Sequence, residues 1–288
     1  MMDDPRVLST AVLPKQDPSF DPRAVALRDA ATVMLVRDAS RGPEVFMLRR
    51  STRAGFVAGA HVFPGGAVDP SDASAHRVVR GRTATEIDKA LGIECGGLSF
   101  WLAVVRECFE EAGVLLARRD DGSLVGFADE LVRSRFDAAR AALNNATLDF
   151  AEFLEVEGLH INASTIHYAS HWITPIGENR RFDTRFFVAR APEEQHPLHD
   201  DRETIASCWV RPADALDMRR RGEIDLILPT IMSLQLLAEH DSADAILDSF
   251  ATLTRRPAIL PQIVYADGVA RLLLPGEAGY DERMANGA

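Results

Sequence analysis

The sequence predicts an α/β protein, because segments with the pattern of β-strands alternate along it with segments of helical period. Apolar runs at 29–37 and 44–50 flank a turn signal at 41–43 and predict a pair of strands. The stretch 101–116 has the period of an amphipathic helix. Its apolar face consists of Leu102, Val105, Phe109, Ala112 and Leu116.

The helix at 101–116 carries three acids on the face opposite its apolar side. Glu107, Glu110 and Glu111 are spaced i, i+3 and i+4, so their like charges repel one another. If Gly113 follows the helix, two of them also lie near the negative end of the helix dipole. A hard cation such as Mg²⁺ or Mn²⁺ prefers oxygen ligands and would stabilise such a cluster. The alternative is a surface helix with a solvated acidic face, which the helix alone favours because Glu is a common helix former.

The helix and the loop 63–66 together resemble the signature of the Nudix hydrolases, Gly-x5-Glu-x7-Arg-Glu-U-x-Glu-Glu-x-Gly-U, where U is apolar. The first half of the signature retains Gly66, with Asp72 six residues on, where the family has Glu. The spacer exceeds the family's seven residues, so a segment at 73–97 is inserted within the signature. The second half is complete in Arg106, Glu107, Cys108, Glu110, Glu111, Gly113 and Val114.

The resemblance implies a Nudix-type α/β/α sandwich with a mixed β-sheet, enlarged here by helical insertions. It also implies hydrolysis of a diphosphate linkage with Mg²⁺ or Mn²⁺, since dications offset the charge of the phosphates and activate water. Glu111 is the metal ligand implied most strongly, beside Glu107, Glu110 and the carbonyl of Gly66. Arg106 is expected to hold a loop acid, Asp72 or Asp69, and so to orient the carboxylates. Because Nudix enzymes recruit the general base from the signature or from elsewhere, the resemblance implies Glu107 and Glu203 as the candidates for it.

A second resemblance concerns the residues just before the signature. The stretch 50–66 resembles an element of coenzyme A-cleaving Nudix enzymes, R-S-x3-R-x3-G-x3-F-P-G-G. The long insertion within the signature is similar to the one in the branch that contains the peroxisomal coenzyme A diphosphatases. Gly55 stands where that element has its second arginine, and Arg53 is nearby but off register. The implied substrate is coenzyme A or an acyl-CoA, cut to 3′,5′-ADP and a 4′-phosphopantetheine. The implied substrate-binding residues are Arg50, Ser51, Arg53 and Gly65.

Three alternatives to this assignment stay open. Arg50 and Arg53 are equally typical of simple surface charge. The substrate could instead be ADP-ribose, NADH or another nucleotide, because the signature specifies only the diphosphate. A non-catalytic nucleotide-sensing module is an alternative of another class, although the three retained acids favour the enzyme.

The remaining pattern predicts one enlarged domain at 28–288 after an extended arm at 1–27. Helices are expected at 85–91, capped by Thr83 or Thr85, and in a second elaboration at 124–160. Arg181 opens a predicted strand and would face either a phosphate or a salt-bridge partner. Glu203 matches an acid that many Nudix proteins place near the site, or it forms a salt bridge at the rim. The other predicted elements are helices at 127–143, 149–156, 212–220 and 229–239, strands at 171–175, 181–189 and 204–210, and a hairpin at 263–274.

The overall charge restricts the partners of the 288-residue chain. A net charge of −11 argues against nonspecific nucleic-acid binding, whereas a metal-bound anionic small molecule is compatible with it. The three cysteines show no paired spacing, and the N-terminus lacks the apolar core of a secretory signal, so a cytoplasmic location is expected. No apolar run is long enough to predict a membrane span. A homodimer is left open.

Overall fold

The structure is a computed structural model that describes residues 4, 6–8, 21, 23–52, 58–199, 203–266 and 269–281. Its strands are β1 (Val7–Leu8), β2 (Leu27–Ala39), β3 (Gly42–Arg50), β4 (His61–Val62), β5 (Gly65–Ala67), β6 (Val79–Arg80), β7 (Ile161–Asn162), β8 (Ile166–Ile173), β9 (Arg181–Arg190), β10 (Thr204–Val210), β11 (Ala258–Ile259), β12 (Gln262–Ala266) and β13 (Val269–Leu273). Its α-helices are α1 (Ala84–Leu91), α2 (Leu98–Ala112), α3 (Glu130–Asn144), α4 (Phe150–Val156), α5 (Pro212–Arg220), α6 (Leu228–Leu237) and α7 (Ala243–Ser249). Short 3-10 helices lie at Pro70–Arg77 and Ala163–Thr165.

The central sheet has the strand order β10-β3-β2-β9-β8-β11, with β4 beside β3 and β5 beside β2. The pairs β2–β9 and β8–β11 are parallel, and the other pairs in this sheet are antiparallel. The sheet is therefore mixed, as the sequence predicted. Strand β2 has a long apolar run because it lies at the centre of the sheet and is covered on both faces.

Alternating side chains of β2 contribute to two hydrophobic cores, one on each face of the sheet. Ala31, Val33 and Leu35 pack in the core that also contains residues of α1–α4. Met34 and Val36 pack in the core that contains residues of α5–α7. Helices thus cover both faces of the sheet, and the predicted α/β/α sandwich is confirmed.

The acidic helix begins earlier and ends earlier than the sequence predicted. Gly97 occupies the N-cap, and the helix runs from Leu98 to Ala112. The helix ends at Gly113, which has a left-handed backbone (φ 67°) and donates its N–H to the carbonyl of Phe109. Leu116 therefore lies beyond the helix and packs in the core from the segment that follows it.

The predicted helices of both insertions are present and are capped by side chains. Thr83 caps α1 and exchanges hydrogen bonds with Glu86, so Thr83 rather than Thr85 is the cap. Asp129 and Asp149 cap α3 and α4, and α3 starts three residues later than predicted. Helix α7, capped by Ser242, was not predicted from the sequence.

The two ends of the chain meet at a small separate sheet. The predicted hairpin is present as the antiparallel pair β12–β13, although its turn at 267–268 lies outside the described residues. Strand β1 pairs with β13, whereas most of the predicted arm at 1–27 lies outside the described residues. Across the part of the chain that the structure describes, none of the helices has the length and apolar character needed to cross a membrane.

Candidate active site

The acidic end of α2 lies directly against the glycine strand β5. A methyl group added at Gly66 would lie 2.5 Å from Cδ of Glu107 and 2.6 Å from each of its carboxylate oxygens. The N–H of Gly65 donates to Oε2 of Glu111 at 3.0 Å. Two successive residues without side chains therefore allow two carboxylates of the helix to reach the backbone of the sheet.

Arg106 joins the same helix to the loop that follows β5. Its Nε donates to Oδ1 of Asp72 at 3.1 Å, its Nη2 donates to Oδ2 at 3.0 Å, and Nη2 also donates to the carbonyl of Ala67 at 2.9 Å. Asp72 is 1% exposed and accepts a further bond of 2.8 Å from the N–H of Asp69. Of the two acids proposed from the sequence, Asp72 is the one that Arg106 holds.

The short side chain of Asp72 reaches Arg106 because of the 3-10 helix that carries it. Asp69 caps this helix, and its side chain and that of Asp72 form a reciprocal capping box. This geometry brings the backbone of Asp72 close to α2, so an aspartate can occupy the position where the family signature has glutamate.

The third nitrogen of Arg106 is directed at the glutamates. Nη1 donates to Oε1 of Glu107 at 2.8 Å and to Oε1 of Glu110 at 3.3 Å. Burial opposes the charge of Arg106, but the hydrogen bonds to Asp72 and the charges of Glu107 and Glu110 raise its pKa above the ordinary value. Arg106 is thus a permanent cation that orients two of the three helix acids.

The three acids are largely removed from water, which excludes the solvated-face alternative. Glu111 is 6% exposed, and the side chains of Glu107 and Glu110 are 15% and 17% exposed. Burial, with repulsion by Glu107, holds the pKa of Glu111 well above its usual range; Glu203 adds to this effect and Arg50 opposes it. Burial also raises the pKa of Glu107 to about 7.

These donors fit a hard dication. Glu107 and Glu111 are adjacent, buried oxygen donors of like charge, an arrangement that costs free energy unless a cation neutralises it. Within the described residues, however, no three acidic, histidine or cysteine side chains already converge on one point. Glu107 and Glu111 are the two acids that reach the backbone of β5, at Gly66 and Gly65. The pair Glu107–Glu111 beside Gly66 is therefore the nucleus of the candidate metal site.

The ends of β3 and β10 bring three more of the predicted residues together, Arg50, Ser51 and Glu203, and the charges of Arg50 and Glu203 act on Glu111. The N–H of Ser51 donates to the carbonyl of Glu203 at 2.8 Å, and Arg50 pairs with Thr204 in the sheet. Nη2 of Arg50 lies 3.6 Å from Oε2 of Glu203. The side chain of Glu203 is 66% exposed and that of Arg50 is 20% exposed, so this pair forms one border of the site.

One predicted substrate-binding residue, Arg181, is not brought to this site, and another, Arg53, cannot be compared with it. Arg181 lies on β9 and pairs with Leu27, four residues along β2 from Ala31, which pairs with Gly66. At the rise of a strand, this offset corresponds to about 13 Å. Nε of Arg181 donates to the carbonyl of Thr174 at 3.2 Å. Arg53 lies outside the described residues.

The structure adds one residue that the sequence analysis missed. Arg140 of α3 donates from Nε to the carbonyl of Glu110 at 2.9 Å and from Nη2 to the carbonyl of Glu111 at 2.8 Å. No local pattern could have identified it, because Arg140 lies about thirty residues further along the chain, in an insertion that carries no motif.

The chain is similar to proteins of one Nudix family over most of its length. The family described as the NUDT19 Nudix domain matches residues 82–237, which is more than half of the chain. A Gallus gallus protein named acyl-coenzyme A diphosphatase NUDT19 is 29% identical over 91% of this chain and 82% of its own length. The Homo sapiens protein of the same name is 31% identical over 84% of this chain and 74% of its own length.

A solved structure agrees with the fold. The crystal structure of a NUDIX hydrolase from Alicyclobacillus acidocaldarius superposes with a TM-score of 0.67 and 28% identity, over 81% of this chain and all of that chain. The family match, the human relative and the buried acids of α2 beside β5 lead to the same assignment. The chain belongs to the NUDT19 Nudix domain family and is a Nudix hydrolase.

Proposed function

We propose that this Nudix hydrolase cleaves the diphosphate linkage of coenzyme A or an acyl-CoA, releasing 3′,5′-ADP and (acyl-)4′-phosphopantetheine. The observation that carries this proposal is the similarity to the chicken and human acyl-coenzyme A diphosphatases over 91% and 84% of the chain. The ion pair of Arg50 with Glu203 supports it, because both charges affect the pKa of Glu111 and Arg50 belongs to the stretch that resembles an element of coenzyme A-cleaving enzymes.

Mg²⁺ or Mn²⁺ is the proposed cofactor, and Glu107, Glu111 and the carbonyl of Gly66 would hold it, with Glu110 as a further ligand. When bound, the cation supplies positive charge against the diphosphate and makes a water molecule more acidic. Arg106 and Asp72 keep the helix acids in place, and Gly65 fixes one carboxylate oxygen of Glu111 through its N–H.

Arg50 is the proposed ligand for a phosphate oxygen of the substrate. Its Nε is buried and has no hydrogen-bond partner among the described residues, so a donor is available to an anion. In the hydrolysis, water forms a new bond to phosphorus, the bridging P–O bond breaks, and a carboxylate accepts the proton that the water loses. Glu107 and Glu203 are the two candidates for that carboxylate.

A panel of substrates, assayed with Mg²⁺ and with Mn²⁺ and analysed by mass spectrometry, tests the substrate proposal. We expect coenzyme A and acyl-CoA to yield 3′,5′-ADP with a higher kcat/KM than ADP-ribose, NADH or a dinucleotide polyphosphate. Equal or faster turnover of one of those nucleotides would contradict the proposal. Tight nucleotide binding without any hydrolysis would instead support a sensing module.

A pair of neighbouring arginines provides a matched control for the role of Arg50. Arg49 is exposed on the opposite face of β3, whereas Arg50 lies near Glu203. We expect Arg50→Met to raise KM for coenzyme A about tenfold, the typical cost of losing a charge-assisted hydrogen bond. Arg49→Met should leave KM unchanged. Equal effects of the two substitutions would rule out a specific contact with substrate.

We also propose a reducing, cytoplasmic location. Cys95, Cys108 and Cys208 are all free thiols in the structure, as expected for such a compartment. Fluorescence microscopy of a tagged protein would test the location. The homodimer stays a prediction, which light scattering of the purified protein would test.

A further inference from the structure

The carbonyl groups at the C-terminus of the metal helix α2 are satisfied from three separate parts of the chain. The last four carbonyls of any α-helix have no partner within the helix. In α2 these belong to Phe109, Glu110, Glu111 and Ala112. Gly113 donates its N–H to Phe109 at 3.0 Å, and Leu198 donates its N–H to Ala112 at 2.9 Å.

The two remaining carbonyls belong to residues whose side chains form the candidate metal site, and Arg140 bonds to both. Its Nε lies 2.9 Å from the oxygen of Glu110, and its Nη2 lies 2.8 Å from the oxygen of Glu111. Asn144, one turn further along α3, adds a longer contact of 3.5 Å to the oxygen of Glu110. A single planar guanidinium therefore fixes two successive peptide groups of the last turn.

The same guanidinium also contacts the segment that leads to Glu203. Nη2 of Arg140 donates to the carbonyl of Leu198 at 3.1 Å, beside the bond from Leu198 to Ala112. This segment is held further by the buried side chain of Gln195, which accepts from the N–H of Leu115 and donates to its carbonyl. Arg140 thus lies where the metal helix, the helical insertion and the chain approaching Glu203 meet.

The close fit around Arg140 leaves the last turn of α2 little freedom. A methyl group added at Gly113 would lie 3.0 Å from Nη1 of Arg140, so the guanidinium packs directly against the end of the helix. Its positive charge is also placed at the negative end of a helix that bears three nearby acids. Both effects favour one orientation of the turn that carries Glu110 and Glu111.

We propose that Arg140 is a positioning residue of the active site, through which the helical insertion holds the metal-binding turn of α2 in its productive orientation. The inference rests on the proposed metal-dependent function, but it assigns a role to the insertion that the signature itself does not contain. Arg140 itself contacts neither substrate nor metal. It acts through the peptide groups of Glu110 and Glu111.

The experiment compares Arg140→Met and Arg140→Lys with Arg133→Met. Arg133 is a matched control, because it lies on the same helix and also bonds through Nε and Nη2 to a loop carbonyl, that of Phe127, away from α2. Binding of Mn²⁺ to the substrate-free protein is measured from the electron paramagnetic resonance signal of free Mn²⁺. Hydrogen exchange of peptides covering 106–114 is measured in the metal-free protein.

We expect Arg140→Met to weaken Mn²⁺ binding about tenfold to a hundredfold, the usual effect of removing an outer-shell partner of a metal site. Exchange should accelerate in 106–114 and stay unchanged in the strands of the central sheet. In turnover of coenzyme A, kcat should fall while KM stays nearly constant. Arg140→Lys should retain part of the Mn²⁺ affinity, since one ammonium group keeps the charge but cannot reproduce the two fixed bonds.

Mn²⁺ affinity within twofold of wild type in Arg140→Met would overturn the proposal, as would an equal loss in Arg133→Met. If Arg140→Met does not fold, Arg140→Lys decides the question: wild-type affinity and exchange in that variant would overturn it. Wild-type protein that binds Mn²⁺ but does not cleave coenzyme A would refute the substrate proposal alone. Wild-type protein that binds no Mn²⁺ would refute both.

Discussion

The guanidinium of Arg106 holds the carboxylate of Asp72 through two hydrogen bonds, of 3.1 Å and 3.0 Å, in an environment where Asp72 is 1% exposed. The same side chain extends its remaining nitrogen to Glu107 and Glu110. The loop after β5 and the acidic helix α2 are therefore joined by one bidentate, buried ion pair. Removing the charge of either partner should therefore lower the stability of the protein and disturb the helix acids that Arg106 holds.

Asp72→Asn should destabilise the protein by about 3–5 kcal/mol, because it leaves the buried charge of Arg106 without its main partner. Urea denaturation measures the change in the free energy of unfolding. Asp72→Glu keeps the charge and should cost less than Asp72→Asn. Asp69→Asn is the control, since Asp69 is exposed and serves mainly as a helix cap. Equal stability of Asp72→Asn and wild type would show that the pair contributes no net stability.

Glu111→Gln should leave the fold intact and abolish metal-dependent hydrolysis. The substitution removes a carboxylate that burial disfavours in the absence of a cation, so metal-free protein should unfold at the same or a higher temperature. Loss of kcat should exceed the tenfold to hundredfold expected for an outer-shell residue. Circular dichroism and the release of 3′,5′-ADP from coenzyme A measure the two effects, with the exposed Glu239→Gln as a control. Substantial activity of Glu111→Gln would exclude Glu111 as a metal ligand.

Gly66→Ala should lower activity by displacing Glu107 rather than by disrupting the fold. The added methyl would overlap the carboxylate of Glu107, at 2.5 Å from Cδ, and that carboxylate is the end of a flexible side chain. A double-mutant cycle with Glu107→Gln tests this cause. The loss of kcat from Gly66→Ala should be strongly reduced in the Glu107→Gln background. Additive losses of kcat would show that the two residues act independently.

The stability of the metal-free protein should decrease as the pH rises from about 4.5 to about 7. Burial raises the pKa of Glu107 from its ordinary 4.5 to about 7. Between these values the folded protein keeps a proton that the unfolded chain has released, so a rise in pH favours unfolding, by at most about 1.4 kcal/mol per pH unit for one group.

Thermal unfolding in the presence of a chelator measures this pH dependence. Between pH 4.5 and 7 the unfolding temperature of wild type should fall more steeply than that of Glu107→Gln, because the glutamine has no carboxyl group that titrates. Saturating Mg²⁺ should remove most of the difference, because the cation stabilises the ionised carboxylate. Parallel profiles of the two proteins in chelator would contradict the prediction.

The sequence by itself predicted the α/β class, the acidic helix α2 and the Gly65–Gly66 loop upstream of it, which the structure forms as strand β5. These features depend on short-range spacing: Glu107, Glu110 and Glu111 occupy one helix face because of the helical period, and Gly113 ends the helix because it adopts a left-handed backbone. The resemblance of the signature then linked two segments that a long insertion separates. Arg50 and Glu203, which were predicted in the same way, form an ion pair whose charges affect the pKa of Glu111.

Only the tertiary structure decided which partners these residues meet. It selected Asp72 over Asp69 for Arg106, because the 3-10 helix at Pro70–Arg77 turns Asp72 inward. It placed Arg181 on β9, away from the glutamates, and Arg140 of α3 at the end of the metal helix. The period of the sequence indicates which face of its own helix or strand a side chain occupies. The path of an insertion depends instead on packing between distant segments, which produces no periodic pattern in the sequence.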